Sequence, residues 1–359
     1  MPRRSTYYKL SGEDEGYWRV LANIGAVMAA HKQNVILTRV RSLTTPRMDG
    51  EKLAYDFGRL DRWVETFDKA GIPTIEGGHL LDRVSGYQTP LRVPAWVIED
   101  GRIVDRKLEP ADPRAETLLD SFTSALYAHL KERGWTKRYL QHIHDEPHGD
   151  ERPDYNRFAK VIRRNLPGVP ILDAVSLDQD LGFFADVADI WVPVLGSFDT
   201  QMEKIHQHAE SGGQSWFYTC IYPQGRHLNR FIDLPLVKTR LLHWLNFRYG
   251  FTGFLHWGGN YWSAEPFANV QPIINDGTTL LPAGDNAIVY PWPERYSVLS
   301  SIRLEAMREG IEEYELLVAL AQRDPGKAQK IAREAIPQFT DYVRDVGAFR
   351  RLQARLLSE

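Results

Sequence analysis

Residues 119–147 read LDSFTSALYAHLKERGWTKRYLQHIHDEP, and the order of two periodicities in this stretch decides the fold. Leu119, Phe122, Leu126 and Leu130 recur at three- and four-residue spacing, the apolar stripe of an amphipathic helix, and Gly134 closes it. From Tyr139 the pattern shortens to YLQHIHDEP, bounded by charge and proline, which predicts a strand over 139–147. A helix feeding a strand is one step of an α/β repeat.

The same step occurs twice upstream. Trp18, Leu21, Ile24 and Met28 stripe a helix over 17–32 that leads into NVILTRV at 34–40. Phe57, Leu60, Trp63, Val64 and Phe67 stripe another that ends near Gly71 and leads into TIEGGHLL at 74–81. Downstream, ILDAVS from 171, DIWVPVL from 189, SWFYTCIY from 215 and GFLHWGGNYW from 253 bring the count to seven strands. Residues 82–114 are Pro-rich and interrupt the repeat, although AWVIEDGRIVD within them predicts a hairpin turning at Asp100-Gly101.

Near-continuous apolar strands alternating with helices imply a parallel sheet covered by helices. No Gly-rich phosphate fingerprint or switch in strand order accompanies them, so a closed (β/α)8 TIM-type barrel is expected rather than a doubly wound sheet. Residues 1–320 form the expected barrel domain, ending in the long amphipathic helix SSIRLEAMREGIEEYELLVAL at 300–320. Residues 321–359 form a C-terminal helical extension packed on it, and the charges of these helices read as solvated faces.

Composition sets the outer limits. Of 359 residues, 43% are hydrophobic and 25% charged, enough for a sizeable core, and the formal net charge of -3 gives no attraction to nucleic acid. The single cysteine, Cys220, excludes an internal disulfide and a thiolate metal site. No stretch reaches the ~18 apolar residues of a membrane span. The basic start MPRRSTYYKLSGEDEG has no apolar leader, which sets the cytoplasm as the default compartment. Ten Trp, sixteen Tyr and fifteen Phe are a skew suited to packing against the C–H faces of sugars as well as to an ordinary core.

Functional side chains of such a barrel sit where strands end. Asp145-Glu146-Pro147 is the sharpest of these ends. Ionising one of two adjacent carboxylates raises the pKa of the other, so one can act as an acid while its neighbour stays an anion. Both enter one site only if the strand loosens, because strand neighbours point to opposite faces. Pro147 favours this by keeping Glu146 out of the helical region and stopping the ladder.

His142, His144 and His148 with Asp173 and Asp199 raise the alternative of a metal, but they form no second ligand motif. They are read as packing and hydrogen-bonding groups, and no metal or cofactor is expected. Trp216, Tyr218 and Cys220 share one strand face, and Leu255 and Trp257 share a face of the next. Core packing fits Trp216 and Cys220, whereas His79, Tyr218, Trp257, Asn260 and Trp262, with polar tips or rim positions, suit substrate binding, and Tyr261 lies beside them.

Taken together, YWRVLANIGAVMAAHKQNVILT, YDFGRLDRWVETFDKAGI, the DEP strand, SWFYTCIYPQGRHLNRFID, TRLLHWLNFRYGFTGFLHWGGNYW and SIRLEAMREGIEEYELL resemble glycoside hydrolase family 123, whose characterised members are β-N-acetylgalactosaminidases. The resemblance implies a retaining, exo-acting hydrolase of terminal β-linked N-acetylhexosamine, most of all N-acetylgalactosamine, on a glycan or glycoconjugate. It implies that Glu146 is the general acid/base and that Asp145 orients the substrate's own 2-acetamido group, which attacks the anomeric carbon. Tyr218, Trp257 and Trp262 match the family's aromatic walls.

The resemblance also implies an N-terminal β-sandwich domain and a first barrel strand, both expected to be missing from these residues. The expectation is then a barrel open between 34–40 and 253–262, completed by the missing domain or an oligomeric partner, with TYYKL at 6–10, the one candidate strand upstream, better suited to an exposed or edge position than to a buried parallel one. Two other readings stay open: a retaining glycosidase with an enzyme nucleophile, for which Glu265 or Asp233 is the candidate, and a catalytically silent carbohydrate-binding barrel.

Overall fold

Each helix-then-strand step upstream of residue 147 is realised in the structure, a computed structural model that describes residues 7–12, 14–86, 89–176, 180–271 and 279–358. Helix α1 (Glu15–Ala30) leads into strand β1 (Val35–Thr38). A hairpin of β2 (Thr45–Asp49) and β3 (Lys52–Asp56) follows, then helix α2 (Gly58–Ala70) and β4 (Thr74–Gly77). The excursion holds β5 (Asp82–Arg83), β6 (Leu91–Glu99) and β7 (Arg102–Leu108). Helix α3 (Pro113–Glu132) and β8 (Tyr139–Gln141) close the third step. Asp112 caps α3 by accepting from the Arg114 N–H, a donor that the first turn of a helix leaves free.

The chain divides into two compact units, Gln33–Val175 with Gln179–Trp191, and Met1–Lys32 with Ser176–Asp178 and Val192–Glu359. In the first unit β1, β4 and β8 form a parallel sheet in that order, with Val35 opposite Thr74 and Ile75 opposite Tyr139. Helix α4 (Arg152–Asn165) leads to β9 (Leu172–Val175), and a parallel bridge joins Gln141 to Ile171 at its edge. The Ile171 carbonyl accepts from the N–H groups of Asp189 (2.9 Å) and Ile190 (3.0 Å), where β10 (Ile190–Pro193) begins.

The expected hairpin is present. β6 and β7 pair antiparallel, with Asp100 (φ +49°) and Gly101 (φ +71°) in the left-handed turn that this connection requires. Tight approach also fixes Gly77: a β-carbon there would meet the Tyr139 hydroxyl at 2.1 Å. Under the excursion Tyr55, Phe57, Trp96 and Phe122 form one ring cluster, with centroids 5.4–6.5 Å apart.

In the second unit helix α5 (Phe198–Glu210) leads into β11 (Gln214–Tyr218), and short helices α6 (Leu236–Arg240) and α7 (Leu242–Tyr249) lead into β12 (Gly253–Leu255). β11 and β12 pair parallel with Trp216 opposite Gly253, and Val194 bridges Tyr218. A small hairpin of β13 (Tyr290–Trp292) and β14 (Ser297–Leu299) precedes helices α8 (Ile302–Arg323), α9 (Pro325–Ala335) and α10 (Val346–Leu357). Among the described residues β1 has β4 as its only ladder partner and β12 has β11. No described helix is long and apolar enough to cross a membrane.

Two expectations are corrected here. Tyr7 and Tyr8 are helical and pack on Trp262, with Tyr8 buried, because the core of α1, β14 and α8 takes their rings; Thr6 lies outside the described residues. The charges of α8 are also not all solvated. Glu313 is 3% exposed because Arg240, the Trp244 indole and Gln353 donate to its carboxylate, and Arg303 is buried against the carbonyls of Arg230, Gly284 and Ala287.

Candidate active site

Beyond Gln141 one more backbone bond runs from the His142 N–H to the Gly77 carbonyl (3.0 Å), and a side chain then takes over the next two N–H groups. The Asp173 carboxylate, fully buried on β9, accepts from the N–H groups of Ile143 (3.0 Å) and His144 (3.3 Å), and from the Tyr155 hydroxyl (2.6 Å). The Ile143 carbonyl accepts from the N–H groups of Leu80 and Leu81. The strand expected over 139–147 thus ends at Gln141, and the segment 142–147 is held by bonds to Asp173, Leu80, Leu81 and Arg83 rather than by a strand ladder.

His142 is sandwiched between two carboxylates, with Nε2 2.6 Å from Glu76 and Nδ1 3.0 Å from Asp173. Burial alone would lower its pKa, but the bonds to Asp173 and Glu76 and their charges outweigh this and raise it to about 10. It is an imidazolium. The His79 ring lies 4.7 Å from it, centroid to centroid. Desolvation first, and then the charge on His142, push the pKa of His79 down to about 4, even though a third of its side chain meets solvent. Neutral His79 stands with Nε2 4.0 Å from Oδ1 of Asp145, whose side chain is 63% exposed.

Glu146 is half-buried, and its φ of +43° lies in the left-handed region rather than in the extended conformation that a following proline favours. Arg83 spans both residues: Nη1 donates to the Asp145 carbonyl (2.9 Å) and Nη2 to the Glu146 carbonyl (3.1 Å). Its fork also grips Glu151, through Nε (3.1 Å) and Nη2 (2.8 Å). Glu151 further accepts from the His148 N–H at 3.1 Å and lies 3.5 Å from His144 Nε2. Burial opposes ionisation of Glu151, yet the contacts with His144, Arg83 and the His148 N–H hold its pKa down to about 2.

His79, His142 and Asp173 offer ligand atoms within 4.8 Å of one another, the spacing of a metal site. Both nitrogens of His142 and both oxygens of Asp173 are committed to the hydrogen bonds above, so a cation there would have to break a satisfied ion-pair network. His144 and His148 face Glu151 instead, and the side chain of Asp199 lies outside the described residues.

The other expected residues belong to the second unit. Trp257 is 42% exposed, its indole N–H donates to Asp285 (3.0 Å), and Tyr261 meets its ring edge-on at 5.5 Å. Asp285 is fully buried, with Oδ1 3.2 Å from His256 Nε2, while Arg230 reaches His256 Nδ1 at 2.6 Å. Burial, then the charge on Arg230, push the pKa of His256 down to about 4, so a neutral ring links the arginine to the carboxylate. Asn260 is partly buried, with an antiparallel bridge to Ala287, and Tyr218 is 5% exposed on β11.

Trp262 is corrected from a sugar-facing residue to a core residue. It is 1% exposed, packed with Tyr8, Val20 and Ile24, and its indole N–H is spent on the Val289 carbonyl (2.7 Å). Trp216 is buried as expected, over Gly253, whereas Cys220 is only partly buried. Glu265 and Asp233 are both exposed.

Sequence reasoning missed Glu76, Arg83, Glu151 and Tyr155. Glu76 did carry a signal, since a carboxylate inside the apolar run TIEGG demands a buried partner.

A model of the glycoside hydrolase 123 catalytic domain matches residues 5–320. No curated protein matches the sequence. Among solved structures, a family 123 glycoside hydrolase from Clostridium perfringens, described for hydrolysis of glycolipid glycans, superposes with a TM-score of 0.73 at 17% identity, over 99% of this chain and 66% of that one. A cold-adapted β-galactosidase from Rahnella sp. R3 gives 0.47 at 11% identity over 84% and 54%, and a β-galactosidase from Marinomonas ef1 gives 0.47 at 9% over 88% and 60%. The chain spans between about half and two thirds of the length of these structures.

Proposed function

This chain belongs to glycoside hydrolase family 123, and from that premise we propose that it is an exo-acting, retaining hydrolase of terminal β-linked N-acetylhexosamine, with N-acetylgalactosamine as the preferred sugar. The observation that carries the reading is the bent, clamped Asp145-Glu146 pair, with an exposed carboxylate at 145 and a neutral imidazole beside it.

In this reading Glu146 gives its proton to the glycosidic oxygen as the bond to the aglycone breaks. The carbonyl oxygen of the substrate's 2-acetamido group bonds to the anomeric carbon, forming an oxazolinium ion. Asp145 accepts the acetamido N–H and offsets the positive charge that develops there, which is stabilisation at the place where charge appears. Glu146, now a carboxylate, takes a proton from the water that reopens the ring, so configuration is retained. His79 is assigned to hold Asp145, and Trp257 to stack on the sugar with a ring that Asp285 fixes. Tyr218 and Asn260 are assigned to the hydroxyls. The parallel strands support a (β/α)8 arrangement for the catalytic domain, residues 1–320, with residues 321–359 packed into it.

A screen of 4-nitrophenyl β-N-acetylgalactosaminide, β-N-acetylglucosaminide and β-galactoside tests the proposal. Turnover of the first above the others is expected. Faster release from the plain galactoside would move the reading to an enzyme nucleophile such as Glu265 or Asp233, and binding without any release would make the protein a lectin-like barrel.

A further inference from the structure

The excursion between β4 and α3 interrupts the α/β repeat, and the repeat itself gives it no role. Its first strand delivers Arg83, 6% exposed, to the backbone of the carboxylate pair. We propose that Arg83 is a positioning residue that sets the backbone of Asp145-Glu146 for reaction, with Glu151 as its buried counter-charge. The proposal rests on the reading that this pair performs the chemistry.

Successive carbonyls of an extended strand point to opposite sides, so one cation cannot bind two of them in a row. Here both carbonyls accept from one guanidinium, at 2.9 and 3.1 Å, and the chain between them takes φ +43° at Glu146. A glutamate before a proline does not adopt that conformation unaided. Removing the cation would free both carbonyls and let the segment relax toward extended geometry, which turns one carboxylate away from its neighbour.

The geometry needs arginine. Nη1 takes one carbonyl, Nη2 takes the other together with a Glu151 oxygen, and Nε takes the second Glu151 oxygen. A lysine ammonium is a single point and cannot span these groups. Glu151 fixes the fork from behind, and its depressed pKa keeps it ionised at neutral pH. The Lys107 ammonium donates to the Arg83 carbonyl at 2.7 Å, so β7 holds the clamp in turn. This gives the excursion a task in the reaction.

The test uses the full chain, with Arg83→Lys, Arg83→Ala and Glu151→Gln compared with wild type on the best aryl glycoside of the screen. A lost positioning contact should lower kcat by about 100-fold, while KM stays within about threefold because the sugar contacts are untouched. Methylguanidinium should restore part of the Arg83→Ala rate, a response that a purely structural role would not give. Should Arg83→Ala fail to fold, Arg83→Lys carries the kinetic test. A Lys variant with kcat within about threefold of wild type overturns the proposal, as does loss of activity through KM alone. The crystal structure of Arg83→Lys reads the same claim without turnover. Retention of the left-handed Glu146 overturns it even if no glycoside proves to be a substrate, and that last outcome would count against the function alone.

Discussion

Asp145 and Glu146 are neighbours in sequence with different surroundings, and that difference is the basis for giving them different tasks. Asp145 is largely open and faces neutral His79, while Glu146 is half-buried in a left-handed bend. Under the proposed mechanism Glu146→Gln keeps the shape and removes the proton donor, so kcat on a 4-nitrophenyl N-acetylhexosaminide should fall by at least ~100-fold. Asp145→Asn should cost at least ~2.7 kcal/mol of transition-state stabilisation on N-acetylated substrates, the scale of one preorganised electrostatic partner. Thermal melts of both variants should match wild type, and an unchanged rate for Asp145→Asn would sink the acetamido mechanism. The pair itself was legible in the sequence, because two carboxylates before a proline at a strand end is a local pattern. Arg83, Glu76 and Glu151 were not, since each acts through a contact formed only when distant strands meet. Trp262 misled for a related reason: a rim position in sequence did not reveal that the indole turns inward to a carbonyl.

At the scale of elements, the end of β8 is where periodicity and structure part. The apolar pattern placed the strand correctly but carried it too far, because hydropathy does not register a carboxylate on the next strand taking over backbone N–H groups. The β2–β3 hairpin was missed because its turn is Gly50-Glu51, with φ +59° at Gly50 only, whereas the Asp-Gly pair that announces the β6–β7 turn, Asp100-Gly101, was read correctly. Asp173 is the element-level keystone, and Asp173→Asn should destabilise the protein by about 3 kcal/mol by leaving a buried imidazolium short of a charge partner. Denaturant unfolding measures this, and a loss below ~1 kcal/mol would show that the network contributes little. His142 adds a pH dependence whose sign is fixed. Its folded pKa, about 10, stands above the ordinary 6.5, so its stabilisation is complete below pH 6.5 and lost as pH rises toward 10. The difference in unfolding free energy between wild type and His142→Gln should therefore shrink steadily between pH 6.5 and 10. A difference that stays constant over this window would mean that the ring is not charged in the folded state.

For the molecule as a whole, the question is whether the catalytic domain ends where the family match ends. The match stops at residue 320, inside α8, which runs to Arg323. The last helices were read as an extension, yet in the second unit they behave as part of the core. Phe339 stacks on Tyr249 with centroids 4.0 Å apart and also meets Phe198, and Phe349 packs edge-on against Trp244 at 5.6 Å. Gln353 donates to the buried Glu313, and Gln329 to the Phe247 carbonyl. Ile331, Phe339, Phe349, Leu352 and Leu356 are each at most 7% exposed. Burial of side chains of this kind contributes about 1.5–3 kcal/mol each, which together rivals the 5–15 kcal/mol net stability of an ordinary domain. A chain ending at Arg323 should therefore not remain as a folded, shorter enzyme. It would expose Trp244, Tyr249 and Phe198 together and leave the Glu313–Arg240 pair without its cover. The expected result is insoluble protein, or a soluble form whose melting temperature falls by more than ~10 °C, at about 2–4 °C per kcal/mol for a chain of this size. Calorimetry on the two lengths decides it, and a truncated chain that melts with wild type would return these helices to the status of an appendage. Glu313→Gln in the full chain separates the two contributions, because it weakens the pair with Arg240 while leaving the aromatic contacts in place. If packing dominates, as the buried side chains imply, that variant should lose only a small part of what truncation removes.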